Sequence, residues 1–267
     1  MSNRAGVKFD RDPSKRLPAL IGRVPHALAG TLRRLLPQAC ALCAAASGDA
    51  LLCPACTTAL RGVGPACPVC ALPAIRSDPS PGARASPCGA CLARPPPFSR
   101  SVAAWIYAFP VDRLVQALKY GGRLALAEPL GDALAAAVLA TPRPLPQVVV
   151  PLPLAPARQR ERGFNQAHEI ARRVAARIAV PLAAGLDRRG DAPPQASLPW
   201  SARARNVRAA FAGRPSLNGR RVALVDDVMT TGATLAAAAR AARRAGAVDV
   251  EAWVVARTLP PVESLRN

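Results

Sequence analysis

Residues 222–234 read VALVDDVMTTGAT, and this stretch is the most informative part of the chain about structure. The continuous apolar run at 222–225 is typical of a buried parallel strand. Two acids, Asp226 and Asp227, end the run, and a short Thr/Gly loop then opens a helix from about Thr234 to Arg244. Backbone N–H groups in such a loop, together with the helix N-terminus, form a cradle for an anion. The stretch therefore predicts a strand, a phosphate loop and a helix in succession.

The side chains of this loop suit a sugar phosphate. Threonine hydroxyls add hydrogen-bond donors, and Gly232 lets the backbone come close to a ligand. Two adjacent carboxylates cannot bind the phosphate itself, but they suit the vicinal hydroxyls of a ribose, directly or beside Mg²⁺. A Walker B strand is a rival interpretation, but it requires a Gly-Lys-Ser/Thr loop, and no lysine here follows a glycine.

Outward from this stretch, short apolar runs alternate with helical patterns from Ser101 onward. The runs at 101–109, 147–154, 221–225 and 248–256 predict strands, and the patterns at 111–120, 124–139 and 165–179 predict helices. This alternation indicates an α/β fold with a parallel sheet. Residues 1–36 resemble a basic, weakly structured lead-in, and residues 73–100 are rich in Pro, Ser and Gly, as in a loop and linker.

All eight cysteines lie between residues 40 and 91, in four Cys-x-x-Cys pairs. The pairs are Cys40/Cys43, Cys53/Cys56, Cys67/Cys70 and Cys88/Cys91. Two such turns supply four thiolates, which is the tetrahedral coordination of structural zinc, so the block predicts two Cys₄ zinc sites. The simplest pairing joins consecutive turns, and an interleaved pairing is the alternative. Disulfides are disfavoured without a secretory signal, and a redox site does not need four copies.

The composition excludes several classes of protein. Hydrophobic residues make up 51 % of the 267 residues, so the chain can bury a core, unlike a disordered chain. Lys plus Arg is 36 and Asp plus Glu is 16, which gives a formal charge of +20. Nearly all of the basic residues are arginine, so this charge is either a solvated surface or a site for phosphates or nucleic acid.

No apolar run is long enough to span a bilayer, and residues 1–16 lack the apolar stretch of a signal peptide. We therefore expect a cytoplasmic protein without membrane insertion. Lys119 is the only lysine outside the first 15 residues. Its retention where arginine is otherwise used indicates a specific contact, such as one to phosphate.

The motif at 222–234 resembles the phosphoribosyl pyrophosphate (PRPP) motif of type I phosphoribosyltransferases, and residues 40–257 resemble the ComF/GntX family of competence-associated proteins. The resemblance rests on the cysteine block, LKYGGR (118–123), RGFNQ (162–166), PPQASL (193–198), RARNVRAAF (203–211) and DDVMTTGAT (226–234). It implies a Rossmann-like parallel sheet of the type I phosphoribosyltransferase kind, preceded by a small double zinc ribbon. The expected domains are a lead-in at 1–36, the zinc ribbon at 37–94 and the phosphoribosyltransferase-like domain at 95–267.

The resemblance also implies roles for individual residues. Asp226 and Asp227 would hold the ribose 2′ and 3′ hydroxyls of Mg²⁺-PRPP. The 5′-phosphate would lie in the loop formed by Thr230, Thr231, Gly232, Ala233 and Thr234. The remaining PRPP contacts are expected from cations, namely Lys119, Arg158, Arg160, Arg162 and Arg205, with Arg188, Arg203 and Arg208 as further candidates on a mobile loop.

Two residues limit this assignment. The 6-oxopurine salvage enzymes of the class begin the loop with a third Asp that assists base protonation, whereas this chain has Thr230. That difference disfavours hypoxanthine or guanine as the acceptor and leaves no obvious general base. His168 lies just after RGFNQ on a predicted helix, and we interpret it as a helix residue and not as a catalyst.

Three functions are compatible with these features. The first is a catalytic phosphoribosyltransferase in nucleotide metabolism linked to DNA uptake. The second is a non-catalytic module that handles single-stranded DNA in natural transformation, with the zinc ribbons and basic surface facing DNA or a helicase-type competence protein. The third is a nucleotide-sensing regulator. The low aromatic content, 4 %, weakens base stacking as a main mode of DNA binding.

Overall fold

The computed structural model describes residues 38–74, 86–188 and 210–260. Its strands are β1 (Arg100–Ile106), β2 (Val148–Pro151), β3 (Leu186–Arg188), β4 (Phe211–Gly213), β5 (Arg221–Met229) and β6 (Asp249–Arg257). Four of them form a sheet in the order β1-β6-β5-β2, and every pair in it is parallel. The other two, β3 and β4, form an antiparallel ribbon. The predicted parallel α/β sheet is confirmed.

The helices follow the strands in the alternating order that the sequence predicts. They are α1 (Pro54–Thr58), α2 (Gly89–Ala93), α3 (Val111–Lys119), α4 (Ala127–Leu139), α5 (Pro156–Arg162), α6 (Gln166–Ile178) and α7 (Ala233–Arg244). One turn of 3₁₀ helix, Leu124–Leu126, leads into α4, and another, Pro215–Leu217, precedes β5. None of the helices within the described ranges is long and apolar enough to cross a membrane.

Two hydrophobic clusters cover the two faces of the sheet. The first packs α3, α4 and α6 against one face, and its fully buried members include Leu114, Leu118, Leu130, Leu134, Ile170 and Val174. The second packs α7 and the β3–β4 ribbon against the other face, with Leu235, Ala238, Leu186 and Phe211 among its members. Because both faces are covered, the strands carry runs of buried apolar residues instead of an alternating pattern, as at 222–225 in β5 and 252–256 in β6.

The cysteine-rich segment covers the outer edge of β1. The backbone N–H of Ser101 donates to the carbonyl of Pro68 (3.1 Å), and the N–H of Ile106 donates to the carbonyl of Arg61 (3.0 Å). An antiparallel bridge joins Gly62 to Trp105. An edge strand with unpaired backbone groups is prone to aggregation, so this cover protects the sheet.

Three features differ from the sequence prediction. Strand β5 extends to Met229 and includes both acids, whereas the sequence predicted a strand at 221–225. The ladder with β6 continues as far as Met229 opposite Arg257, so pairing with its neighbour lengthens the strand beyond its apolar run. Short helices (α2 within the predicted loop and linker at 73–100, and α5 after β2) and the β3–β4 ribbon also form where the sequence indicated only loops. The limits of the lead-in and the two domains stay a prediction, and residues 1–37 lie outside the described part of the chain.

Candidate functional site

The eight cysteines form two groups of four whose sulfur atoms lie within 4.8 Å of one another. The first cluster is Cys40, Cys43, Cys53 and Cys56, and the second cluster is Cys67, Cys70, Cys88 and Cys91. The pairing of consecutive motifs is therefore confirmed, and the interleaved alternative is wrong.

The sulfur geometry fits zinc. A tetrahedral site with Zn–S bonds of about 2.3 Å places its sulfurs about 3.8 Å apart. The Sγ atoms of Cys43 and Cys53 are 3.7 Å apart, and so are those of Cys70 and Cys88. In the second cluster the backbone N–H of Cys88 also donates to Cys67 Sγ (3.3 Å), which favours the thiolate. With four protein ligands per ion, these sites hold the fold and leave no open position for chemistry.

The predicted phosphate loop joins β5 to α7. Gly232 has a φ of +77°, in the left-handed region that glycine adopts at no steric cost, and it is the N-cap of α7. The N–H of Ala233 donates to Thr231 Oγ1 (3.3 Å), which closes the turn. The side chains of Thr230, Thr231 and Thr234 are exposed. The loop therefore opens to solvent at the N-terminal end of a 12-residue helix, where the helix dipole favours an anion.

The two acids of β5 have different partners. Successive side chains of a strand point to opposite faces, and Asp227 points toward α3. Its Oδ1 accepts from Lys119 Nζ at 2.8 Å. Its other oxygen, Oδ2, is buried and has no hydrogen-bond partner among the described residues. An orphaned buried carboxylate oxygen is costly and calls for a ligand group that can donate to it.

Asp226 is only partly exposed, and its Oδ1 accepts from the backbone N–H of Asp227 (2.9 Å). Burial and the neighbouring Asp227 charge raise the pKa of Asp226 to about 7, against the opposing effects of that hydrogen bond and of the Lys119 and Arg188 charges. Two adjacent carboxyl groups that repel each other in this way are suited to share a cation or a pair of hydroxyl donors.

We expect Asp226→Asn to stabilise the protein by an amount that grows between pH 6 and pH 7. The folded-state pKa lies above that of the unfolded chain, so the folded state holds an extra proton between about pH 4 and pH 7. The free energy of unfolding of the wild-type protein therefore falls by up to about 1.4 kcal/mol per pH unit as the pH rises through this window. Asparagine does not titrate, so the variant does not undergo this decrease. Denaturant midpoints of both proteins at pH 6, 7 and 8 measure the difference in stability between the variant and the wild type. Titration of the zinc ligands affects both proteins equally and therefore cancels in this difference.

Asp187→Asn is the control for this prediction. The hydrogen bond from Arg214 lowers the pKa of the exposed Asp187, so its contribution is present above the unfolded pKa and does not decline between pH 6 and pH 8. A difference between Asp226→Asn and wild type that stays constant from pH 6 to pH 8 would contradict the raised pKa.

Beside the acids lies an open cleft of about 340 Å³, a size typical of small-molecule sites. It is lined by Lys119, Tyr120, Gly122, Arg158, Glu161, Arg162 and Phe164. The parallel strands β2 and β5 are neighbours, so the segment after β2 and the loop after β5 leave the sheet at the same edge. The fold thus brings Lys119 together with two of the arginines proposed for pyrophosphate.

The predicted arginines differ in their placement. Arg162 packs over the ring of Tyr120 (5.4 Å to the centroid) and donates to Gln166 Oε1 at 2.5 Å. Arg160 is exposed on α5 and is not among the residues that line the cleft. Arg188 ends β3 close enough to Asp226 to influence its pKa. Arg203, Arg205 and Arg208 lie outside the described residues, as does most of the expected mobile loop.

The RGFNQ motif turns the chain sharply between two helices. Gly163 ends α5 in the left-handed conformation, with a φ of +76°. Asn165 begins α6, because its Oδ1 accepts from the N–H groups of Ala167 (3.0 Å) and His168 (3.4 Å). Its Nδ2 donates to the carbonyl of Leu152 (3.0 Å), just after β2. His168 is exposed in the first turn of α6, so its predicted placement on a helix is confirmed.

Sequence reasoning missed Arg257. This residue ends β6, is 6 % exposed and extends its guanidinium toward the end of β5. Nη1 donates to the carbonyls of Met229 (3.0 Å) and Thr230, the first residue of the phosphate loop. A lone arginine that ends the apolar run at 252–256 is the signal that was available in the sequence.

Comparison with known proteins identifies the same two parts. Residues 31–92 match the double zinc ribbon domain, and residues 161–261 match the phosphoribosyl transferase domain. The DNA utilization protein YhgH of Escherichia coli O6:H1 is 34 % identical over 239 residues, which cover 84 % of this chain and 99 % of the relative. The chain belongs to the ComF/GntX family.

A second curated relative and a solved structure are also similar to this chain. Competence protein F of Haemophilus influenzae is 32 % identical over 178 residues, covering 64 % of this chain and 78 % of the relative. A solved glutamine PRPP amidotransferase from B. subtilis is 22 % identical and covers 47 % of this chain and 25 % of its own, with a TM-score of 0.34. The matches to the two family models show a phosphoribosyltransferase-type domain together with a double zinc ribbon.

Proposed function

We propose that this ComF/GntX protein binds Mg²⁺-PRPP, or a related ribose 5-phosphate ligand, at the end of β5 and acts as a phosphoribosyltransferase. The proposal places it in nucleotide metabolism linked to DNA uptake, in the cytoplasm. The observation that carries it is the buried Asp227 Oδ2, which has no hydrogen-bond partner among the described residues and belongs to a residue three positions before the predicted phosphate loop. A ribose hydroxyl would supply the donor that this oxygen lacks.

The binding mode follows from the order of groups along the chain. The 5′-phosphate accepts hydrogen bonds from the loop Thr230–Thr234 and the first turn of α7. The 2′ and 3′ hydroxyls donate to Asp226 and Asp227, which precede the first loop residue by four and three positions. The C1 pyrophosphate then lies toward the cleft, where Lys119, Arg158 and Arg162 offer positive charge, and where Arg160 and Arg205 would add further contacts.

The reaction proposed for this geometry is a substitution at C1. The bond from C1 to the pyrophosphate oxygen breaks, and pyrophosphate leaves with the electron pair while C1 gains oxocarbenium character. An incoming nitrogen, from a base or ammonia, forms the new bond to C1. The cations of the cleft stabilise the charge that builds on the departing pyrophosphate. The paired carboxylates suit Mg²⁺, which when bound supplies further neutralisation of that charge.

Titration of the zinc-loaded protein with Mg²⁺-PRPP tests the proposal. The double variant Asp226→Asn/Asp227→Asn is expected to lower the affinity about 100-fold or more, because two charge-assisted hydrogen bonds to the ribose are weakened. Isothermal calorimetry measures binding, and pyrophosphate release across a panel of bases and ammonia measures turnover.

Asp249→Asn is the matched control for this titration. Asp249 is a carboxylate at the amino end of the neighbouring strand β6, remote from the loop, and its replacement should leave PRPP affinity unchanged. No binding by the wild-type protein at millimolar PRPP would overturn the proposed ligand. Binding without pyrophosphate release from any acceptor would overturn the enzymatic part alone.

A non-catalytic module for single-stranded DNA is the second candidate function. It is favoured by the formal charge of +20 and by relatives named for DNA utilization and competence. Binding of a fluorescent oligonucleotide that weakens steeply with salt, and that is unchanged in the Asp226→Asn/Asp227→Asn variant, would support this function. Helicase-type competence proteins are its proposed partners.

A further inference from the structure

We infer that Arg257 is a positioning residue that fastens the phosphate loop to the second zinc cluster, so that metal loading of that cluster sets the order of the loop. For its functional meaning this inference rests on the proposed phosphate site. It assigns to the zinc ribbon a task beyond its own folding, namely the support of a ligand site in the other part of the chain.

The guanidinium of Arg257 bonds in two directions. Nε donates to the carbonyl of Cys70, a member of the second cluster, at 2.9 Å. Nη1 donates to Met229 (3.0 Å), to Thr230 and to Thr258 (2.8 Å), each time at the backbone carbonyl. The two nitrogens of one planar group therefore join a zinc-ligand residue to the residues that begin the phosphate loop. A lysine ammonium, with donors on a single atom, cannot span both sides.

The cysteine turn at the other end of this link is itself fixed to the sheet. Three consecutive carbonyls accept hydrogen bonds from strand residues. Pro68 accepts from the N–H of Ser101 (3.1 Å), Val69 accepts from Ser101 Oγ (2.6 Å), and Cys70 accepts from Arg257. A zinc ion in the second cluster would hold the same turn through the sulfurs of Cys67 and Cys70, which lie within 4.8 Å of those of Cys88 and Cys91. Loss of the metal would free this turn and thereby remove the fixed acceptor of Arg257 Nε.

Because Arg257 is buried, its hydrogen bonds to Cys70 and to the loop are not easily replaced. The residue is 6 % exposed, so water cannot readily replace a lost carbonyl partner. Its position is set by the ladder, in which Arg257 pairs with Met229 at the last position of β5 and β6. Movement of the cysteine turn would therefore disturb the hydrogen bonds of Arg257 to Met229 and Thr230, where the loop begins.

Amide hydrogen exchange of the ligand-free protein tests the inference. Arg257→Lys, which keeps the charge but not the fork, is expected to speed exchange of the amides at 230–236 about tenfold while both zinc ions are retained. Affinity for Mg²⁺-PRPP should fall about tenfold in parallel.

Arg100→Lys is the control, since Arg100 is also 6 % exposed, lies in the same sheet and contacts Glu251, not the loop. Unchanged exchange at 230–236 in Arg257→Lys would overturn the inference. An equal increase in Arg100→Lys would also overturn it, because the effect would then be a general loosening.

The role of the metal is tested with one cysteine-to-serine variant in each cluster. Cys91→Ser should speed loop exchange in the wild-type background but add nothing in the Arg257→Lys background, whereas Cys56→Ser in the first cluster should leave the loop unchanged. Additive effects of Cys91→Ser and Arg257→Lys would overturn the coupling. Because exchange is measured without ligand, a wild-type protein that fails to bind PRPP would refute the proposed function and leave this test intact.

Discussion

Replacing Cys40 with serine should lower the zinc content from two ions to one per chain and unfold the first half of the ribbon. Cys40 is 4 % exposed, and with Leu52 and Cys53 it joins the hydrophobic cluster that covers one face of the sheet. Structural zinc binds to such peptides with about 10–16 kcal/mol of apparent free energy, and so small a segment has no comparable core of its own. Elemental analysis of zinc, together with proteolysis of residues 38–74, measures the result.

Ala41→Ser is the matched control for Cys40→Ser, since it places the same side chain one residue away without removing a ligand. It should retain both ions and resist proteolysis. Two zinc ions per chain in Cys40→Ser would contradict the assignment of the first cluster. Loss of both ions would instead show that the two clusters fold as one cooperative unit.

Replacing Lys119 with methionine is expected to lower the free energy of unfolding by about 3 kcal/mol. The ammonium contacts Asp227 Oδ1 at 2.8 Å, and the Asp227 side chain is only 5 % exposed, so its removal leaves a buried carboxylate without a counter-ion. The double variant Lys119→Met/Asp227→Asn should recover most of this loss, because it removes the buried charge as well. Urea denaturation of the zinc-loaded proteins measures both values.

Arg113→Met provides the comparison, because Arg113 is an exposed cation on the same helix and should change the stability by less than about 0.5 kcal/mol. A double variant no more stable than Lys119→Met would contradict the buried-pair argument. The pair also bears on ligand binding. In the proposed complex, a ribose hydroxyl would donate to a carboxylate that Lys119 already holds, so Asp227 would be positioned before the ligand arrives.

Local sequence patterns predicted the main elements well. The spacing within each Cys-x-x-Cys pair is a property of one turn, so it indicated the metal without any knowledge of the fold. Likewise, the apolar run at 222–225 and the glycine at 232 dictate a strand and a turn from nearest neighbours alone. The Thr/Gly loop, the N-terminus of α7 and the parallel sheet were therefore accessible from the sequence.

Features that depend on distant parts of the chain could not be predicted from local sequence patterns. The sequence marked Lys119 only as an unusual residue, and only the packing of α3 against β5 makes Asp227 its partner. The three arginines of α5 looked equivalent, yet helix geometry directs Arg158 and Arg162 to the cleft, because residues four apart share a face, and leaves Arg160 out of it.

What the sequence by itself determined is thus the set of reactive groups: eight thiols in zinc spacing, and two acids before a Thr/Gly loop. The tertiary structure decided how these parts are joined. It chose the pairing of the cysteines, and it left Asp227 Oδ2 with a vacant acceptor position among the described residues. It also brought Arg257 to Cys70, 187 positions earlier in the chain. Periodicity and spacing report contacts within a few residues, whereas a contact across that separation exists only once the sheet has closed.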